Sequence, residues 1–336
     1  MKFLNRLKEF PPSSARLDWV VALFSIWFVG GVFTDGWAHN HLSSALETFF
    51  TPWHALFYSG FTALAIAIGI VWYLNFKKGY HWKHAWPRGY RLAAIGIAVF
   101  FIGGVGDLIW HEVFGIEAGV DALLSPTHLL LAIGGALAVS APFRSALARG
   151  TKATSLVAEL PGIISLTSAF SLVLFMTQYL SPITHPWLVN SLHTDDPFFG
   201  QALGISNFIY YSIALTGFLL YANRRRVLPG GATAILMGLS TLGMAMMKDT
   251  LYLVPWAIGA GILIDIKKYY LMKLYKGNKM IQCWAMVISV LATLGFLVGS
   301  LAHEGTWWSI HLLVGAVAVS AIAGWLLSFL ALPVEK

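Results

Sequence analysis

"RLAAIGIAVFFIGGVGDLIWHEV", residues 91–113, carries no charged side chain between Arg91 and Asp107. A helix needs about 20 mostly apolar residues to cross a bilayer, and this stretch is long enough to do so. At its far end Asp107 and His111 stand at positions i and i+4. The stretch therefore predicts a transmembrane helix that ends in polar side chains.

Similar apolar stretches recur along the whole chain of 336 residues, of which 57% are hydrophobic and only 11% charged. Soluble domains have about 25% charged residues, so a large soluble domain is excluded. The stretches lack the alternation of membrane strands, which favours helices over a barrel. We predict an all-α, polytopic integral membrane protein in a lipid bilayer. About ten transmembrane helices are expected, at residues 17–38, 52–75, 91–113, 126–148, 159–180, 200–223, 230–247, 249–266, 280–301 and 307–331.

The basic residues indicate the orientation of these helices. Several precede the first helix and later clusters fall in every second connection, so that of 22 Lys and Arg only Lys248 lies on the opposite side. The positive-inside rule makes the basic side cytoplasmic. Both termini are then cytoplasmic, the membrane is a cell inner or plasma membrane, and the first helix is retained rather than cleaved as a signal peptide. Topology explains the net charge of +7, so no nucleic-acid partner is expected.

Histidine is concentrated on the other, extracytoplasmic side of the predicted topology. Nine of the eleven histidines map there: His39, His41, His54, His111, His128, His185, His193, His303 and His311. The positive-inside rule takes no account of histidine, so chance would scatter histidines over both sides. The sorting indicates a function at the outer face.

Two motifs with the same order of residues lie at this face. The first motif reads "DGWAH" at 35–39 and "FTPWHAL" at 50–56, and the second reads "DLIWH" at 107–111 and "SPTHLL" at 125–130. In each, Asp and His at i and i+4 share a helix face. Ser or Thr followed by Pro is typical of a capped helix start. We interpret residues 1–150 as two duplicated helical hairpins, an internal repeat of four helices, and 151–336 as a region of six further helices.

Each motif supplies one aspartate and two histidines, a set that leaves coordination positions open. Such ligands suit copper, zinc or iron, whereas magnesium and calcium prefer shells of oxygen. Cys283 is the single cysteine, which excludes a thiolate zinc site or an iron–sulfur cluster built by this chain alone. The candidate ligands are Asp35, His39 and His54 in the first motif and Asp107, His111 and His128 in the second.

The order Asp-x-x-x-His followed by Ser/Thr-Pro-x-His resembles the metal motif of the C subunit of particulate methane and ammonia monooxygenases. It also resembles, more loosely, a group of multi-helix bacterial and archaeal membrane proteins. The first resemblance implies a helical membrane subunit that binds copper through the six candidate ligands and acts as a monooxygenase-like oxidoreductase. Here the connection between the second and third ligands is longer, the motif occurs twice, and the copper domain of the partner subunit has no counterpart.

Four functions remain open at this point. The first is a copper oxidoreductase, with iron or zinc as alternative metals, which needs electrons from a quinol or a partner subunit. The second is a metal-handling protein for copper uptake, insertion or sensing. The third is a haem-binding, cytochrome b-like carrier, and the fourth is a polar network that only orders the outer loops.

Several details are also left open by the sequence. The two motifs form either one shared site or two separate ones. His41 is either a fourth ligand of the first motif or a surface residue. His303 and His311 resemble a degenerate third hairpin, whereas His185 and His193 are expected to order a loop.

Overall fold

The structure is a computed structural model that describes residues 9–42, 50–117, 119–150, 155–191 and 196–332. Within these ranges it is helical and has no strand, as predicted. The chain divides into two compact units, Met1–Met176 and Thr177–Lys336. The fifth predicted helix thus packs with the four helices of the motifs. The division of the chain after residue 150, which the sequence places at the end of the duplicated hairpins, stays a prediction.

The first unit is built from long helices that are joined by short connections. Its helices are α1 (Ala15–His41), α2 (Pro52–Lys77), α3 (Arg91–Phe114), the short α4 (Val120–Leu124), α5 (Pro126–Val139), α6 (Ala141–Arg149) and α7 (Leu156–Met176). α1 pairs with α2 and α3 pairs with α5, so each motif lies in one helical hairpin. α7 packs against α1 and α5.

The second unit contains the remaining helices, with short 3₁₀ turns before two of them. They are α8 (Trp187–Asn190), α9 (Pro197–Arg225), α10 (Ala232–Met247), α11 (Val254–Leu274), α12 (Gly277–Glu304) and α13 (Ile310–Ala331). Hydroxyl pairs join α9 to α12 inside this unit, with Ser212 3.2 Å from Thr293 and Thr216 3.1 Å from Ser289. These pairs satisfy polar groups that would otherwise be buried without partners.

Eight helices of the described residues are long and apolar enough to cross a bilayer, with α5 and α6 together counting as one. Each of the ten predicted stretches falls on a helix, but α10 has only 16 residues and α11 carries charged side chains in its second half. α11 also begins later than predicted, because Asp249 adopts a positive φ of 56° and Pro255 stands in the first turn of the helix. The number of ten spans stays a prediction.

Within each hairpin of the first unit, the two helices cross at glycines. These glycines stand at corresponding places in the two hairpins. A Cβ on Gly60 would lie 2.6 Å from the backbone nitrogen of Phe28, and one on Gly134 would lie 2.5 Å from that of Phe100. On the partner helices, Gly31 faces the backbone of Phe57 in the same way, and Gly103 faces that of Leu131. Small residues allow such close approach between membrane helices.

Replacing Gly134 with alanine is expected to destabilise the protein, because the new methyl group would meet the backbone of α3. Overpacking of this kind costs about 1–3 kcal/mol. Gly30 is a matched control, since a Cβ there meets nothing within 4 Å and Gly→Ala inside a helix is otherwise favourable. Thermal unfolding in detergent measures both variants, and equal midpoints for the two would contradict the close crossing.

Three phenylalanines join the hairpins at the centre of the first unit. The rings of Phe61 and Phe100 stack with centroids 3.6 Å apart, and the ring of Phe28 meets both edge-on at 5.3 and 5.4 Å. All three side chains are buried. This cluster holds the hairpins side by side and thereby fixes the positions of the motifs at their ends.

A buried charge network lies at the opposite end of the first unit from the motifs. Asp18 in the first turn of α1 accepts a hydrogen bond of 2.7 Å from the Tyr90 hydroxyl and another from the guanidinium of Arg149. Only 1% of the Asp18 side chain is exposed. The network ties α1 to the start of α3 and to the end of α6.

Candidate metal centres

Capped helix starts place the third candidate ligand of each motif. The Thr51 hydroxyl accepts a 3.1 Å hydrogen bond from the backbone N–H of His54, and the Ser125 hydroxyl accepts one of 3.4 Å from that of His128. Pro52 and Pro126 occupy the first turns of α2 and α5. The predicted Ser/Thr-Pro caps are confirmed, and they aim both histidines at the neighbouring helix.

Asp35, His39 and His54 form the first cluster, between the end of α1 and the start of α2. His39 Nε2 lies 3.6 Å from Asp35 Oδ2, and His54 Nε2 lies 3.4 Å from Asp35 Oδ1. One ligand atom from each of the three residues lies within 4.8 Å of the others. The structure therefore brings together the three residues that the first motif predicted.

Asp107, His111 and His128 form the second cluster, between the end of α3 and the start of α5. Asp107 Oδ1 lies 3.5 Å from His111 Nε2 and 3.2 Å from His128 Nε2. Their ligand atoms also lie within 4.8 Å of one another. Each motif thus gathers a cluster of its own, and among the described residues these two are the groups that could hold a metal ion.

The carboxylate–imidazole distances in both clusters are compatible with ligands of one metal ion. Good N–H···O bonds measure about 2.7–3.2 Å, and three of the four carboxylate–imidazole distances are longer than that. Two ligands about 2.0–2.2 Å from a tetrahedral metal lie about 3.3–3.6 Å apart. Within each cluster, the distances from the carboxylate to the two imidazoles are thus close to those of ligands that share one metal ion.

The second cluster has partners that orient its histidines. His111 Nδ1 lies 3.3 Å from Glu117 Oε2 and also 3.3 Å from the carbonyl oxygen of Gly115, while His128 Nδ1 contacts the carbonyl oxygen of Ala122. These contacts occupy Nδ1 and leave Nε2 of both rings directed at Asp107. Metal-binding histidines usually have such a partner, which fixes the ring and its tautomer.

The two clusters differ in exposure to solvent. In the first, the side chain of His39 is 38% exposed and those of Asp35 and His54 are each 14% exposed. In the second, those of Asp107 and His111 are only 3% and 7% exposed, and that of His128 is 26% exposed. The Thr127 hydroxyl also donates a 2.8 Å hydrogen bond to Asp107. A ligand in the second cluster would therefore be more sheltered from water than one in the first.

Tyr58 lies between the clusters. Its ring is in edge contact with that of His54, with centroids 6.4 Å apart, and its hydroxyl rests on Gly104, one turn before Asp107 on α3. Both carboxylates, Asp35 and Asp107, are within electrostatic reach of this hydroxyl. The clusters are thus separate but lie near each other at the same end of the first unit.

Comparison with models of protein families gave no match, and none was found among curated proteins or solved structures. The chain is therefore placed in no family. The resemblance to the monooxygenase subunit rests on the two motifs alone.

The other histidines of the predicted outer face do not join a cluster in the described residues. His41 Nδ1 contacts the carbonyl oxygen of Trp37 at 2.8 Å and its ring stacks on that of Trp37, and His41 is not one of the three residues of the first cluster. His303 stacks on Tyr252 with centroids 3.8 Å apart. His185 Nδ1 lies 3.0 Å from the hydroxyl of its neighbour Thr184, while His193 lies outside the described residues.

Sequence reasoning missed Glu117 and Thr127 as partners of the second cluster. Thr127 stands inside the "SPTH" motif beside the candidate ligand His128, so the motif already indicated a position near the cluster. Glu117 follows His111 across a turn at Gly115, whose φ is +81°. Such a turn can return a side chain to the helix end, but the sequence does not show where that side chain points.

Replacing Glu117 with glutamine is expected to weaken metal binding at the second cluster by about 10- to 100-fold, the usual effect of losing the partner of a histidine ligand. Titration of metal-free protein with Cu²⁺ measures the effect. Glu112→Gln is the matched control, because Glu112 is an exposed acid in the last turn of α3 that lies outside the cluster. Equal affinity in both variants would remove Glu117 from the site.

Proposed function

We propose that this chain is an integral membrane metal-binding protein whose two clusters hold copper at the extracytoplasmic face of a cell inner or plasma membrane. The observation that supports the proposal most is the geometry of the clusters. In each, a carboxylate and two imidazoles meet at the ends of two apolar helices, with distances typical of ligands around one metal. Both termini would then be cytoplasmic, with about ten spans.

Copper is the metal favoured by the ligand chemistry. Sites of nitrogen and oxygen ligands bind Cu²⁺ more tightly than the other first-row divalent metals, with zinc and iron as alternatives. Three protein ligands leave positions for an exogenous molecule. Haem is less consistent with the clusters, because an aspartate lies beside both histidines in each of them.

We further propose that the two hairpins are an internal repeat. The equivalent close crossings, Gly60 on Phe28 and Gly134 on Phe100, support this, since they occur at the same distance along the chain from His54 and His128. Both hairpins also start their second helix with the same cap. A duplication explains why one chain carries two ligand sets of the same order.

The proposed activity is that of a monooxygenase-like oxidoreductase component that receives electrons from a quinol or a partner subunit. When bound, copper would supply a redox-active Lewis acid with open coordination positions. In the second cluster, Asp107 would balance the charge of the metal, the Gly115 carbonyl would hold the proton on His111 Nδ1, and Glu117 would add negative charge beside that ring. The low exposure of Asp107 and His111 would limit the access of water.

A second candidate function is copper handling without catalysis, and the first cluster favours it. His39 is accessible to solvent, as a residue that captures or releases a metal must be. The first cluster would exchange copper through His39 with a donor outside the membrane. The sheltered second cluster would then be the more stable store.

Electron paramagnetic resonance of copper-loaded protein in mild detergent tests the proposal. A Cu²⁺ signal with splitting from imidazole nitrogen is expected. A Soret band in the optical absorption spectrum of the purified protein would instead establish haem. Quinol-dependent oxygen uptake that is lost in His54→Ala and His128→Ala would support the oxidoreductase. Release of copper to a chelator without any oxygen uptake would support copper handling.

A further inference from the structure

A shallow, open groove of about 400 Å³ lies on the first unit, at the end of α3 opposite to the second cluster. Its floor is one apolar face of α3 in which the small side chains of Ala94 and Ala98 leave space between larger neighbours. Trp82 and Trp86, in the connection before α3, form its wall. The groove runs along the helix over roughly 12 Å, the rise from residue 94 to 102.

The charges at one end of the groove are all positive. Lys83 and Arg91 line it beside the tryptophans, and none of the described residues that line it is acidic. The connection that supplies its wall, residues 78–90, also contains no aspartate or glutamate. The groove thus offers cations where it meets the interface and hydrocarbon along the rest of its length.

The wall of the groove is held in place by contacts within the protein. Trp72 donates a 2.9 Å hydrogen bond from its indole to the carbonyl oxygen of Trp82, and its ring stacks on that of Trp86 with centroids 5.5 Å apart. Asn75 donates a buried 3.0 Å bond to the carbonyl oxygen of Ala85. A preformed wall lowers the cost of ordering when a ligand binds.

We propose that this groove binds one anionic phospholipid, with an acyl chain along Ala94 and Ala98 and the phosphate between Lys83 and Arg91. Tryptophans at the membrane interface and cations beside them match the depth of a headgroup. The apolar floor matches a lipid chain rather than a free phosphate. The site is independent of the metal clusters and adds a lipid partner to the proposed function.

Native mass spectrometry of the full chain in mild detergent tests the site with phosphatidylglycerol and phosphatidylcholine of identical acyl chains. Wild type is expected to prefer phosphatidylglycerol. Lys83→Gln/Arg91→Gln should lose that preference, by about fivefold for each charge removed. Lys77→Gln/Lys78→Gln is the matched control, because it removes two basic residues near the same interface that do not line the groove.

A second variant, Ala98→Phe, fills the groove without changing any charge. It should lower the binding of phosphatidylglycerol while the protein stays monodisperse, since Ala98 is exposed and not part of the core. The proposal is overturned if wild type shows no preference, if the control loses as much as Lys83→Gln/Arg91→Gln, or if Ala98→Phe binds as wild type does. The proposal is also overturned if Ala98→Phe displaces a bound quinone while the binding of phosphatidylglycerol stays unchanged.

Discussion

Replacing Asp107 with asparagine is expected to remove the metal from the second cluster and leave the first cluster loaded. Asp107 contacts both His111 and His128, and its Oδ1 lies within 3.5 Å of Nε2 of both imidazoles. Asparagine keeps the shape but loses the charge that balances a divalent ion in a nearly buried place. The loss should exceed the roughly 10- to 100-fold effect of removing an outer partner such as Glu117.

The result is measured as bound copper per chain after desalting. Half of the copper should remain in Asp107→Asn, and the remaining half should disappear when His54→Ala is added. Glu112→Gln, with the same loss of charge next to His111, should keep all of it. Complete loss in Asp107→Asn alone would show that the two motifs share one site, against the separate clusters of the structure.

Replacing Asp18 with asparagine is expected to cause the largest loss of stability. The carboxylate is buried and is bound by both the Tyr90 hydroxyl and the Arg149 guanidinium. Removing one partner of a buried ion pair costs about 3–5 kcal/mol, because the other charge is left without compensation. We expect about 3 kcal/mol here, since the side chain of Arg149 is 27% exposed and keeps some contact with water.

Thermal unfolding in the same detergent measures this effect through the midpoint temperature. Glu9→Gln is the control, because Glu9 is an exposed acid that precedes the same helix. Tyr90→Phe should have a smaller effect, since it removes one hydrogen bond and leaves the ion pair. A midpoint for Asp18→Asn equal to that of Glu9→Gln would show that the network does not stabilise the fold.

The candidate sites were predictable because their signal is local. Asp and His at i and i+4 must share a helix face, and Ser or Thr before Pro must start a helix. The sequence therefore predicted all six residues of the clusters, and the structure brings Asp35 to His54 and Asp107 to His128 across two helices. Their role as metal ligands stays a prediction.

The rest depends on contacts between distant parts of the chain. The network of Asp18 joins residues far apart in sequence, and nothing in the pattern of apolar residues pairs them. The position of Tyr58 between the clusters depends on how the two hairpins pack. The number of spans is uncertain from sequence for another reason, because α10 is short and α11 carries charges, and apolar composition alone does not decide whether such helices cross.

The most direct test of the central claim is the metal content of the wild-type protein. The full chain is purified in mild detergent without chelator, reconstituted with Cu²⁺, desalted and measured by mass spectrometry. Two clusters of three ligands predict two copper ions per chain, with zinc displaced by copper when both are offered. No stoichiometric copper or zinc after reconstitution would contradict the claim and reduce both clusters to polar networks at the helix ends.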